Sequence, residues 1–308
     1  MTRGDTHKTS SLNRRTKITR RILYSLLLVV VGGVCISWLV GSYLVAPAPQ
    51  RIGEPPKDLP FTPVKLQDNS GAVTSGWHIR TQPSKGVVLL LHGIRGNRLS
   101  MLPRAQFLVT AGYSVVMIDL QAHGESSGDL ITLGYREKDN VIETIRYIKS
   151  SHPGEPIAII GVSLGGAAAV LASPLNIDAI ILESVFPDIE TAITNRVAAI
   201  LGPFSPLPST LLICQIHPRI GIPTSQLSPI DLLPDVGCPV FILSGANDLH
   251  TLPEEAQKMY SIAADPKKLW IVDRAAHVDL HGVANDEYQK RILLFLDQHM
   301  NVSQNRAN

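Results

Sequence analysis

The sequence predicts an α/β protein, a mainly parallel sheet with helices on both faces, preceded by one N-terminal transmembrane helix. Three observations carry this. Strand-length apolar runs alternate with longer runs whose apolar residues recur every three to four positions. A long uncharged stretch directly follows a basic cluster at the N-terminus. A lone serine stands between glycines where a strand-like run gives way to a helix-like one, in "IAIIGVSLGGAAAVLA" from Ile157 to Ala172.

The first element is the apolar run "ILYSLLLVVVGGVCISWLVGSYLVA", preceded by Arg14, Arg15, Lys17, Arg20 and Arg21. About 25 residues of helix can cross a hydrocarbon layer of about 30 Å with some tilt. The positive-inside bias sets residues 1–21 as a cytoplasmic tail, 22–46 as a single-pass signal anchor and the bulk of the chain on the extracytoplasmic side. A cleaved signal peptide is the competing reading, because "APA" at Ala46–Ala48 resembles a cleavage pattern. The length of the apolar run and the presence of Pro49 directly after the cut argue against it. Residues 47–62 hold "PAPQRIGEPPKDLPFTP" up to Pro63, whose prolines favour an extended, semi-rigid spacer.

Residues 63–300 form the expected globular domain, with 301–308 as a tail. Its clearest strands are "GVVLLLHG" (86–93), "SVVMIDL" (114–120), "PIAIIGV" (156–162) and "DAIILES" (178–184), each apolar on both faces as a central parallel strand must be. "PVFILSG" and "KLWIVD" are two later strands. "LSMLPRAQFLVTAG", "REKDNVIETIRYIKSS", "PEEAQKMYSIAA" and "EYQKRILLFLDQHM" have helical spacing. From about 185 to 236 the alternation fails, and a Pro-rich apolar insertion reads either as a helical lid or as an irregular connection on the sheet edge.

Composition narrows the function. With 308 residues, 44% of them hydrophobic, and a net charge of +2, the chain has ample material for a core and no broad basic surface for nucleic acid. Its three cysteines, Cys35, Cys214 and Cys238, are too few for a disulfide framework, and no His/Cys spacing marks a metal site. Cys214 and Cys238 could pair in an exported domain or stand as separate thiols.

"GVSLG" fits G-x-S-x-G in its required context, a buried strand before and a helix after. A sharp turn would lift Ser163 above the sheet, with Gly161 and Gly165 small enough for the turn to pack, and the following helix would aim amides at the same spot. In "LLLHGIRGN", a loop after His92-Gly93 can turn the Ile94 amide toward a developing oxyanion together with the Leu164 amide. His92 itself reads as a loop-shaping residue. A serine needs a base, and in chain order an acid and a histidine should follow. Asp248 in "ILSGANDLHTLP" and His277 in "IVDRAAHVDLHG" both follow strands, at the rim where open α/β sheets place ligands. Ser163 would attack, His277 would accept and return the proton, and Asp248 would hold the imidazole. Rival acids are Glu183 and Asp188; Asp273 stands too early. His281 is the rival base, whereas His250 and His217 read as surface or lid residues.

These segments together resemble the α/β-hydrolase superfamily, from roughly Val64 to Met300. "VVMIDLQAHGESSG" is similar to its D-x-x-x-H-G-x-S-x-G loop, which the resemblance implies to be structural, with Asp119, His123, Gly124, Ser126 and Gly128 in the motif positions. Gln121 departs from the more frequent arginine. More narrowly, the stretch from "HGIRGN" to "YREKDNV" is similar to the serine aminopeptidase (S33-like) and BEM46-like groups. Ser163 separates the chain from dehalogenases and epoxide hydrolases, which carry aspartate there. The expected function is a membrane-anchored serine hydrolase cleaving an ester, thioester or amide of a small-molecule or lipid-like acyl substrate through an acyl-enzyme, without cofactor or metal. An acyltransferase using the same triad and a catalytically silent tethered module are the alternatives.

Overall fold

The structure is a computed structural model of the chain and describes residues 5–56, 59–68, 71–277 and 280–300, with side chains described from residue 17 onward. The tail read at 301–308 lies outside the described residues. The chain divides into two compact units, Met1–Leu44 and Val45–Asn308.

The first unit is helix α1 (Asp5–Val45). Its segment Lys17–Val45 contains an 18-residue window with a mean hydropathy of 2.4 and is long and apolar enough to cross a membrane.

The second unit opens with β1 (Ala48–Pro49), then β2 (Thr62–Gln67) and β3 (Val73–Ile79), which form an antiparallel pair. β4 (Val87–Leu91), helix α2 (Leu102–Thr110) and β5 (Ser114–Ile118) follow, then the short β6 (His123–Gly124) and helix α3 (Glu137–Ser151). β7 (Ile157–Val162), α4 (Leu164–Leu171) and β8 (Ala179–Glu183) make the next parallel crossover unit. The insertion contains α5 (Ile189–Leu201), α6 (Pro206–Ile213), α7 (Ile216–Ile220) and α8 (Pro229–Leu232). β9 (Val240–Gly245), α9 (Pro253–Ile262), β10 (Lys267–Val272) and α10 (Leu280–Met300) complete the fold.

Eight strands pair in the order β10-β9-β8-β7-β4-β5-β3-β2, and β3 alone runs against the rest. The strand period of two divides the core cleanly. Val87, Leu89 and Leu91 of β4 join one apolar cluster with Val141 and Ile145 of α3 and the alanines of α4. Val88 and Leu90 join another with Leu108 of α2 and Ile292, Phe295 and Leu296 of α10. All five residues of β4 are buried, which is why its sequence is apolar throughout. Burying each such side chain contributes about 1.5–3 kcal/mol.

The start of the proline-rich stretch, read from sequence as an extended, semi-rigid spacer, lies against the globular unit. Ala48 and Pro49 pair with His123 and Gly124, the Val45 carbonyl accepts from the Ile131 amide, and the Ile52 amide donates to Glu125. Prolines favour extension, and here that extended backbone finds carbonyls and a carboxylate on the globular unit itself. The antiparallel β2–β3 pair lies within residues for which the sequence predicts no strand. The insertion is helical rather than irregular.

Candidate active site

Ser163 sits between the end of β7 and the start of α4 with φ 48° and ψ −111°, a backbone conformation that L-residues rarely adopt. The surrounding glycines show how tightly this turn is wound. A Cβ on Gly161 would lie 2.5 Å from the Gly166 Cα, and one on Gly165 would lie 2.6 Å from the Leu91 carbonyl oxygen. Neither neighbour is a flexible side chain, so the small residues are a steric requirement of the turn. The Ser163 amide donates to the Glu183 carbonyl at 2.8 Å, which ties the elbow to β8.

The loop after β4 lies alongside. A Cβ on Gly93 would come within 3.7 Å of the Ser163 Cβ. His92 holds this loop: its Nδ1 donates to the Gly93 carbonyl at 2.7 Å, and its Nε2 accepts from the Leu120 amide at 3.0 Å. Complete burial pushes its pKa down to about 3, so the ring is neutral at physiological pH and works as a brace. Ile94 lines the cavity above, and Leu164 opens α4.

Asp248, the expected acid, stands on the turn after β9. Asp248, 1% exposed, accepts from the His250 and Thr251 amides at 2.8 and 2.9 Å and from His277 Nδ1 at 2.8 Å through its other oxygen. Burial alone would raise its pKa, but these hydrogen bonds and the imidazole outweigh it, so the carboxyl is held below its usual range. Ser163 and His277 line one cavity of about 640 Å³ at the carboxyl ends of the strands. A second cavity, of about 630 Å³, is lined by Asp188, Glu190, Thr194, Ser225 and Asp231, without a nucleophile and base pair.

The rival residues are occupied elsewhere. Glu183 receives Arg104 Nε and Nη2 at 3.0 and 2.6 Å and the Tyr288 hydroxyl, in a network of fully buried groups. Asp188 caps α5 through the Thr191 amide and hydroxyl. His281 stacks on Phe107 at 5.4 Å, and His217 lies on α7. Asp119 pairs with the buried Arg98, and a Cβ on Gly124 would collide with the Asp119 carboxyl at 2.3 Å, so this loop is a structural brace. Gln121, at the position where arginine is more frequent, donates to the Leu130 carbonyl at 3.0 Å. Cys214 and Cys238 are both free thiols. Among the described residues, no cluster of His, Cys, Asp or Glu could hold a metal ion.

Comparison with known proteins agrees with this architecture. The family described as "Serine aminopeptidase, S33" matches residues 82–215. The Pyrococcus furiosus esterase Pf2001 superposes with a TM-score of 0.69 at 26% identity, covering 83% of this chain and all of the esterase chain. The chain belongs to the α/β-hydrolase superfamily. Among curated relatives of this α/β-hydrolase, YqkD of Bacillus subtilis is 24% identical over 72% of the chain and 74% of its own length. The lysophosphatidylserine lipase ABHD12 of Danio rerio is 26% identical over 67% of the chain and 55% of its own length.

Several cavity residues of this α/β-hydrolase escape sequence reasoning, among them Arg104, His250, Ser184 and Arg196. His250 is no surface or lid residue: its ring packs 4.9 Å from that of His277 and lines the cavity. The turn that presents the Asp248 carboxylate to His277 carries His250 there, two residues on. Ser184 and Arg196 line the same space from β8 and α5. Arg196 did leave a signal, being the only Asp, Glu, Lys or Arg between Glu190 and Arg219.

Proposed function

We propose that the protein is a membrane-anchored serine hydrolase that cleaves an ester, thioester or amide through an acyl-enzyme. The observation that carries this reading is the His277–Asp248 hydrogen bond opening onto the cavity that Ser163 also lines. With Nδ1 donating to Asp248, the His277 ring offers Nε2 to the Ser163 hydroxyl proton. Ser163 Oγ then bonds to the substrate carbonyl carbon, and the Ile94 and Leu164 amides donate to the oxyanion. His277 returns the proton to the leaving group as its bond to the carbonyl carbon breaks. A water, deprotonated by the same imidazole, attacks the acyl-enzyme and frees Ser163 with release of the acid.

Lipid-like acyl substrates fit two further features. The segment Lys17–Val45 would anchor the chain in a bilayer, with its N-terminus cytoplasmic and the catalytic unit outside. Residues 197–218 contain no Asp, Glu, Lys or Arg, and there Ile200 and Phe204 are 80% and 82% exposed, an apolar surface suited to lipid.

Turnover of 4-nitrophenyl esters of graded chain length by the full chain in detergent tests the reading. Ser163→Ala and His277→Ala should each lower kcat by about 10⁴-fold or more. Full activity in Ser163→Ala would refute it.

A further inference from the structure

Ser184 follows β8 directly and takes φ 48°, the same left-handed backbone as Ser163 one strand away. It is 3% exposed, lines the cavity, and its Oγ has no hydrogen-bond partner among the described residues. An orphaned buried hydroxyl at a strained position costs stability that a bound ligand can return.

Arg196 reaches the same cavity from α5. Its Nη1 donates to the Ala192 carbonyl at 3.2 Å within its own helix, and no carboxylate among the described residues is in ion-pair contact with it. The two nearest acids are taken by other donors: Asp248 by His277 and two amides, Glu255 by the Asn195 side chain at 2.5 Å and the Leu252 amide at 3.2 Å. Burial pulls the guanidinium pKa down against the attraction of those acids, yet an arginine stays charged at any physiological pH. Arg104, His250 and His277 are the other titratable groups that line its cavity, and of these Arg104 is already paired with Glu183. Arg196 is a half-buried permanent cation that faces this cavity without an ion-pair partner among the described residues, whereas charges withdrawn from water are normally paired.

We infer that the substrate carries an anionic oxygen group near its scissile bond, and that Arg196 and Ser184 hold that group. The inference rests on Ser163 being the nucleophile. Arg196 would bind the anion through its guanidinium fork, and the Ser184 hydroxyl would donate to one of its oxygens. Both contacts position the acyl carbonyl over Ser163 without touching the reacting atoms, so Arg196 and Ser184 are specificity residues.

The test compares the 4-nitrophenyl monoester of glutarate, anionic, with 4-nitrophenyl valerate, neutral and of equal chain length, on the full chain in detergent. Glycerol 3-phosphate and glutarate serve as competing ligands that separate a phosphate from a carboxylate source. The wild type should prefer the anionic ester in kcat/KM. Arg196→Gln should lower that preference by about 10- to 100-fold, Arg196→Lys should retain part of it, and Ser184→Ala should lower it by roughly 3- to 10-fold. Stronger inhibition by either anion than by glycerol, lost in Arg196→Gln, supports the inference and names the anion. Fluorophosphonate labelling of Ser163, followed in each variant, reports whether the fold and nucleophile survive. Labelling at wild-type rate with an unchanged ester preference in Arg196→Gln overturns the inference alone. No labelling of the wild type overturns the serine-hydrolase reading and this inference with it.

Discussion

Glu183 and Asp248 stand at the ends of neighbouring strands on the same rim of the sheet, and each is 1% exposed. Their partners make them opposites. Glu183 is sealed against Arg104 and Tyr288, two groups that hold their protons at any physiological pH. Asp248 is matched with His277, a base that can take up a proton and whose ring opens onto a cavity. The first arrangement can only hold strands and helices together. The second can also stabilise an imidazolium that comes and goes, as proton transfer from a serine requires. Burial and charge alone do not separate these two carboxylates; the chemistry and exposure of the partner do.

Three measurements sharpen that contrast. Asp248→Asn should carry the largest effect, lowering kcat/KM by about 10²- to 10⁴-fold because the imidazole loses its orienting acceptor and the stabiliser of its charged form. Ester turnover alongside a melting curve checks that the loss is chemical. Glu183→Gln should behave inversely. It strands Arg104 without its anion and should cost about 3–5 kcal/mol of stability, read from denaturant unfolding, while the folded fraction keeps its rate of Ser163 labelling. A Glu183→Gln protein as stable as wild type but inactive would reverse the two assignments.

The smallest effect is acid sensitivity. His78, buried against His152 at 2.9 Å and Tyr147 at 2.9 Å, has its pKa lowered to about 4, chiefly by burial and then by His152. His92 is lowered further, to about 3. Below pH 6.5 the unfolded chain takes up protons that these folded rings refuse. Their contribution is therefore complete above pH 6.5 and is lost progressively as pH falls toward 4. Asp248, held below its normal range, keeps its contribution until the pH drops to about 4 and loses it beneath. A melting temperature that declines between pH 6.5 and 4, with a shallower decline in His78→Asn, is the expected result.

Much of this was legible in the sequence, and the physical reasons are local. The central strands announce themselves because β4, β5, β7 and β8 are buried on both faces and so are apolar except at Ser114, which opens β5, and Glu183, which ends β8. The elbow is legible because its turn leaves no room for side chains at Gly161 and Gly165, and a steric exclusion of that kind must appear as a residue pattern. By contrast, β2 exposes most of its residues at the sheet edge, so Thr62–Gln67 carries no apolar run to find. His250 and His281 show the limit for the site. Both are single histidines on loops or helix starts near candidate residues, and only tertiary packing sends the first into the cavity beside His277 and stacks the second on Phe107. The docking of Ala48–Ile52 was illegible for a similar reason. Prolines record that the backbone is extended, and nothing in them records what the extended backbone lies against.

The most direct test of the account is fluorophosphonate labelling of the full chain in detergent, with the adduct mapped by peptide mass analysis. The account predicts one adduct, on Ser163, which is abolished in His277→Ala and slowed in Asp248→Asn. An adduct at another serine, or labelling of Ser163 that is indifferent to His277, would contradict it.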